Sequence, residues 1–97
     1  MLDNEMHVSF LGVSQNESFA RMVAAAFASQ LNPTIEELTD IRTAVSEAVT
    51  NAIIHGYRGM RGMVGMDCTI SGRTFTVTVR DEGHGIPDVK LAMQPFY

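Results

Sequence analysis

The run TIEELTDIRTAVSEAVTNAIIHG, Thr34 to Gly56, carries two stripes of different character on one helix. Leu38, Ile41, Val45, Ala48, Val49 and Ala52 recur at helical spacing and form one continuous apolar face. Thr34 followed by Glu37 has capping-box spacing, in which a hydroxyl and a carboxylate each take a free amide at a helix start. A helix is therefore expected from there to about Ile54 or His55, with Gly56 suited to its C-terminal cap. Glu47, Asn51 and His55 stand at i, i+4 and i+8, so they share a second stripe, roughly 110° around from the first. The helix offers one face to a core and an adjacent edge to something polar. From spacing alone two readings of that edge stand, a solvated face or a site.

Working upstream, Met6, Val8 and Phe10 alternate with His7, Ser9 and Leu11, which predicts a strand ended by Gly12. Ser14 and Glu17 repeat the capping-box spacing. Phe19, Met22, Val23, Ala26, Phe27 and Leu31 then predict the apolar face of a first helix over about Asn16–Leu31, broken by Asn32-Pro33. Downstream, Arg58 to Gly62 reads as a glycine-rich loop. Val64, Met66, Cys68 and Ile70 alternate with Gly65, Asp67 and Thr69. After a Ser71-Gly72-Arg73 turn, Phe75, Val77 and Val79 alternate with threonines and Arg80. The two runs predict a hairpin with one buried face. A glycine-rich segment, Asp81 to Asp88, leaves the last strand, and Asp88 to Met93 is expected to start a short helix. This order gives an α+β fold, a two-layer sandwich with helices on one face of a mostly antiparallel sheet.

Composition narrows the function. At 97 residues, 45% hydrophobic and 19% charged, the chain has the make-up of one globular domain. A net charge of −4 argues against a nonspecific nucleic-acid binder, which needs a basic face. The single Cys68 excludes an internal disulfide and cannot build a zinc site alone; its apolar setting predicts a buried, reduced thiol. Seven methionines fit gap-filling in a core, with a methionine-rich partner surface as the other reading. No apolar run approaches the ~20 residues of a membrane span, and MLDNEMH does not read as a signal peptide, so a cytoplasmic protein is expected.

The second informative segment is Asp81-Glu82-Gly83-His84-Gly85-Ile86-Pro87. Glycines two apart after a strand permit close backbone approach to a ligand, and a carboxylate at a strand end can accept from an exocyclic amine. Alone, this is also what an ordinary glycine turn looks like. In combination, E-x-x-x-N on a helix followed after a hairpin by D-x-G-x-G resembles the first two nucleotide-binding boxes of the GHKL superfamily, which takes in gyrases, histidine kinases and MutL-type ATPases. The strings NESFAR (16–21), SEAVTNAIIHGY (46–57) and VRDEGHGIPD (79–88) resemble one branch of it, the bacterial anti-sigma-F factors, which are serine kinases. The resemblance runs over essentially the whole chain.

The resemblance implies a Bergerat-type ATP-binding fold, ATP/ADP and Mg²⁺ as cofactors, and a role for each matching residue. Asn51 would ligate Mg²⁺ and Glu47 would be the general base for the attacking hydroxyl. Asp81 would read the adenine amine, Gly83 and Gly85 would shape the pocket, and Ile86 and Pro87 would line it. His55 would reach the nucleotide or cap its helix, and His84 has no role. Arg21 would meet protein partners, against the plainer reading of a solvated arginine. The implied partners are a sporulation sigma factor and an anti-anti-sigma protein, with no nucleic acid or membrane. The family continues past Gln94-Pro95-Phe96-Tyr97 into a lid and further elements, so residues 1–97 are expected to form the N-terminal part of the domain and to dimerise or self-associate. A protein-binding module without ATP turnover and a histidine-kinase ATPase domain are the alternatives.

Overall fold

A computed structural model describes residues 2–56, 62–81 and 89–93. The elements run β1 (Asn4–Leu11), α1 (Gln15–Ala28), a 3₁₀ turn (Ser29–Leu31), α2 (Ile35–Asn51), a π-helical turn (Ala52–Gly56), β2 (Met63–Ser71), β3 (Thr74–Asp81) and β4 (Val89–Met93). The strands form one antiparallel sheet in the order β1-β2-β3-β4. Both helices pack against one face of it, which is the expected α+β sandwich.

The alternation places Phe10 on β1, Val64, Met66, Cys68 and Ile70 on β2, and Phe75, Val77 and Val79 on β3 in the core. From α2 come Ile41, Val45, Ala48 and Val49, with Ala52 just beyond, as the apolar stripe requires; Leu38 is half-buried at its margin. Thr34 and Glu37 form the predicted capping box, the hydroxyl accepting from the Glu37 amide at 3.1 Å and the carboxylate from the Thr34 amide at 2.7 Å. The β2–β3 hairpin turns on Gly72 at φ 60°, left-handed backbone that a side chain would strain. Burial pushes the Cys68 thiol up to about 12, so it stays a protonated core group.

Four expectations are corrected. The Ser14–Glu17 box does not form: Ser14 is itself in helical backbone and makes no side-chain cap. The core row of α1 is Ala20, Ala24 and Ala28, whereas Phe19, Met22 and Ala26 are exposed. Small side chains let α1 lie close to α2 and the sheet, while Val23, Phe27 and Leu31 of the expected face pack half-buried against the edge of that core. The first helix tightens into the 3₁₀ turn at Ser29, ending at Asn32 in left-handed backbone (φ 51°), and α2 ends in the π turn. Val89–Met93 is a strand, pairing with Phe75–Val79, because the backbone amides and carbonyls along β3 take a ladder partner there. Residues 57–61 and 82–88, where the glycine-rich loop and segment are expected, lie outside the described residues.

The solvent face of the sheet is polar and cross-braced. Asp67 accepts from Arg80 through both oxygens, Nε at 3.0 Å and Nη2 at 3.1 Å, and contacts His7 Nδ1 at 2.8 Å. Glu5 contacts the other His7 nitrogen at 2.8 Å. The Arg80 guanidinium lies over Gly65, where a Cβ would collide with it. A glycine at 65 thus lets a β3 arginine reach a β2 carboxylate.

Candidate functional site

The chain path brings the candidate residues to one end of the sandwich. β1 ends at Leu11 opposite Met63, and the next β2 residue, Val64, is opposite Asp81. α1 starts four residues after Leu11, and its first turn is tied to the last turns of α2. The C-terminal end of α2, with Glu47 and Asn51, therefore stands at the end of the sheet where β3 delivers Asp81. The π turn that follows Asn51 packs against β3. Such turns inside or at the end of a helix are frequent at functional sites.

Glu17 makes the tie. Ser46 Oγ donates to its Oε1 at 2.7 Å and Thr50 Oγ1 to its Oε2 at 2.9 Å. Both carboxylate oxygens are engaged, and Arg21 Nε approaches Oε1 at 3.9 Å. The Ser46 and Thr50 hydroxyls hold the Glu17 carboxyl below its ordinary value, with the Arg21 charge a smaller contribution. Ser46 and Thr50 each directly precede a candidate functional residue, Glu47 and Asn51. Fixing the two hydroxyls against α1 sets the rotation of α2 about its axis and so the direction of its polar edge.

A pH-dependent stability follows. Because the folded pKa is lowered, Glu17 stabilises the fold above its ordinary value of 4.5, and the contribution is lost as pH falls through the folded value. Glu17→Gln should lower Tm at neutral pH, and the deficit should shrink in acid. Thermal melts across pH check this; a deficit constant with pH would exclude the ionised carboxylate as its cause.

Ser46, Glu47, Thr50 and Asn51 line a cleft of about 360 Å³. Glu47 and Asn51 are exposed one turn apart, and among the described residues neither side chain has a hydrogen-bond partner. A second cleft of about 350 Å³ continues from Ser46 and Glu47 towards Thr43, Arg42, Thr39 and Arg21. Asp81 is half-buried, in the row of β3 that carries the core residues Phe75, Val77 and Val79. An exposed amide oxygen beside a carboxylate suits a hard cation such as Mg²⁺, which takes few protein ligands. Among the described residues no group of three or more His, Cys, Asp or Glu is placed to hold a metal.

Residues 14–95 match the histidine kinase-like ATPase domain. Along all 97 residues the chain is 56% identical to the anti-sigma F factor of Clostridium kluyveri, covering 68% of that protein. It is 60% identical over 94 residues to the anti-sigma F factor of Thermoanaerobacter sp. (strain X514), covering 97% of this chain and 66% of that one. The chain belongs to the anti-sigma F factor family. It is also 57% identical over 95 residues to the Halalkalibacterium halodurans member, covering 97% of this chain and 65% of that one. It thus spans about two-thirds of the length of these anti-sigma F factors.

Within this family member, the described residues bring Glu47, Asn51 and Asp81 to one end of the sandwich. Arg21 stands half-exposed beside Glu17 in the second cleft. His55 lies in the π turn by its backbone, and its ring is outside the description. Gly83, His84, Gly85, Ile86 and Pro87 lie outside the described residues. Sequence reasoning missed Glu17, Ser46, Thr50 and Arg42. Ser46 and Thr50 at i, i+4 were a usable signal, since two hydroxyls flanking a functional stripe on its inner side need an acceptor. Among the described residues no helix is long and apolar enough to cross a membrane.

Proposed function

We propose that this chain is the ATP-binding part of a cytoplasmic protein serine kinase that also acts as an anti-sigma factor in sporulation. The observation that carries the reading is the pairing of exposed Glu47 and Asn51 on one cleft, at the end of the sheet where Asp81 closes β3. Asn51 would hold Mg²⁺ through its amide oxygen, and the bound ion would neutralise charge on the nucleotide phosphates. Glu47 accepts the proton of the acceptor serine as its oxygen attacks the γ-phosphorus, and the bond to the β,γ-bridging oxygen breaks to release ADP. Asp81 would accept from the adenine amine, Gly83, Gly85, Ile86 and Pro87 would shape the pocket around the base, and His55 would reach the nucleotide or cap its helix. Arg21 meets the partners, a sigma factor and an anti-anti-sigma protein that carries the acceptor serine. The names of the anti-sigma F factors that the chain resembles support the sigma-factor partner.

Base selectivity tests the reading. ATP should bind in preference to GTP, whose exocyclic groups do not offer the same donor. Asp81→Asn should weaken ATP binding by about 1–3 kcal/mol, because its amide adds donors the pocket does not need. Calorimetric titration with both nucleotides measures this. Equal affinity for ATP and GTP in the parent would show that Asp81 does not read the base.

A further inference from the structure

The cleft that runs from Glu47 along α2 has a chemistry the nucleotide reading does not use. It is lined by Arg21 from α1 and by Thr39, Arg42, Thr43, Ser46 and Glu47 from α2. Arg42 is exposed and makes no hydrogen bond or ion pair among the described residues. Among the described residues Arg21 pairs with Glu17, at 3.9 Å, and both Glu17 oxygens already accept from Ser46 and Thr50. Two guanidinium groups thus flank a groove whose far end is the proposed base. Glu17 offsets the Arg21 charge and Glu47 closes the far end, which leaves Arg42 as the guanidinium open to an acidic partner.

We propose that this groove binds the acceptor segment of the protein substrate and selects for acidic residues beside its serine, with Arg42 as a specificity determinant. The proposal rests on Glu47 being the base of a serine kinase. Arginine suits the task because its fork pairs with a carboxylate through two parallel hydrogen bonds. The spacing gives a register. Arg42 and Glu47 are five residues apart on a helix, about 7–8 Å along the axis and about 140° around it, so their side chains stand about 10 Å or more apart. Three residues of extended peptide span about 10 Å. With the serine hydroxyl at Glu47, a carboxylate three positions away in the substrate reaches Arg42. The hydroxyls of Thr39 and Thr43 lie alongside as polar lining; Thr39 already donates to the Ile35 carbonyl at 3.0 Å.

Fluorescence anisotropy on the 97-residue chain tests it, with a labelled synthetic peptide bearing serine and, three positions away, either aspartate or lysine. The parent should bind the aspartate peptide about fivefold to tenfold more tightly, with the preference fading as salt rises. Arg42→Glu should reverse the preference, whereas Arg73→Glu, the same change of charge in the hairpin turn at the opposite end of the sheet, should keep it. Equal binding of the two peptides by the parent, or an unchanged preference in Arg42→Glu, would overturn the proposal. Mg-ATP titrations of the same samples separate the two readings. Peptide preference without nucleotide binding leaves the groove standing and removes the kinase; nucleotide binding without preference does the reverse.

Discussion

Asn51→Ala should abolish Mg-ATP binding, while Glu47→Ala should spare binding and remove phosphoryl transfer. The two residues share one cleft, one helical turn apart, yet they would act at different stages. Asn51 would supply a neutral oxygen to a cation that is part of the bound ligand, so its loss would be felt before any chemistry. Mg²⁺ with few protein ligands has no second residue on this stripe to replace it, since Glu47 is needed for the acceptor hydroxyl. Glu47 would take the serine proton as the hydroxyl attacks, a contribution of about 10²–10⁴ in rate and little in nucleotide affinity. Removing a carboxylate from the proposed triphosphate site would even relieve some repulsion. Nucleotide titrations and a phosphoryl-transfer assay on both variants decide it. Equal loss of nucleotide binding in both would sink the division of roles.

The parts of this domain that were legible in sequence are those where a side chain's role is set by its immediate neighbours. The α2 stripe and the hairpin alternation each separate apolar from polar residues sharply, so Ile41, Val45 and Val49, and Met66, Cys68, Phe75 and Val77, fall in the core as read. A helix fixes i and i+4 on one edge, so the shared edge of Glu47 and Asn51 was legible, as was the strand end at Asp81; the roles proposed for them come from the family resemblance and not from spacing. What failed depends on distant partners. Glu17 stands at capping distance from Ser14, but its carboxylate goes to hydroxyls 29 and 33 residues away, which no local spacing records. The α1 core row was hidden because alanine gives weak contrast in any hydrophobicity pattern. It is buried for its size, while Phe19 and Met22, though more apolar, stand outside. β4 reads as a helix start in isolation and becomes a strand through hydrogen bonding to β3.

The same contrast sets the largest stability effect expected. Sequence periodicity places Met22 and Phe75 alike in the core; the structure buries Phe75 completely and leaves Met22 67% exposed. Phe75 lies against Phe27 of α1, ring centroids 6.5 Å apart at 45°, so it joins the sheet to the helix layer. Phe75→Ala removes that contact and leaves a cavity that close-packed neighbours fill only in part, a loss of about 3–5 kcal/mol. Domains of this size are stable by only about 5–15 kcal/mol, so Tm should fall by tens of degrees. Met22→Ala should stay within about 0.5 kcal/mol, as surface changes do. Urea denaturation of both variants measures the difference through the midpoint. Phe75 is also six residues before Asp81 along β3, about 20 Å from the proposed adenine site. The variant should therefore bind Mg-ATP with parental affinity in its folded fraction, and the nucleotide should raise its midpoint by mass action. Similar midpoints for the two variants would place Met22 in the core after all, and a Phe75→Ala protein that is stable but unable to bind nucleotide would mean the hairpin's far end shapes the site directly.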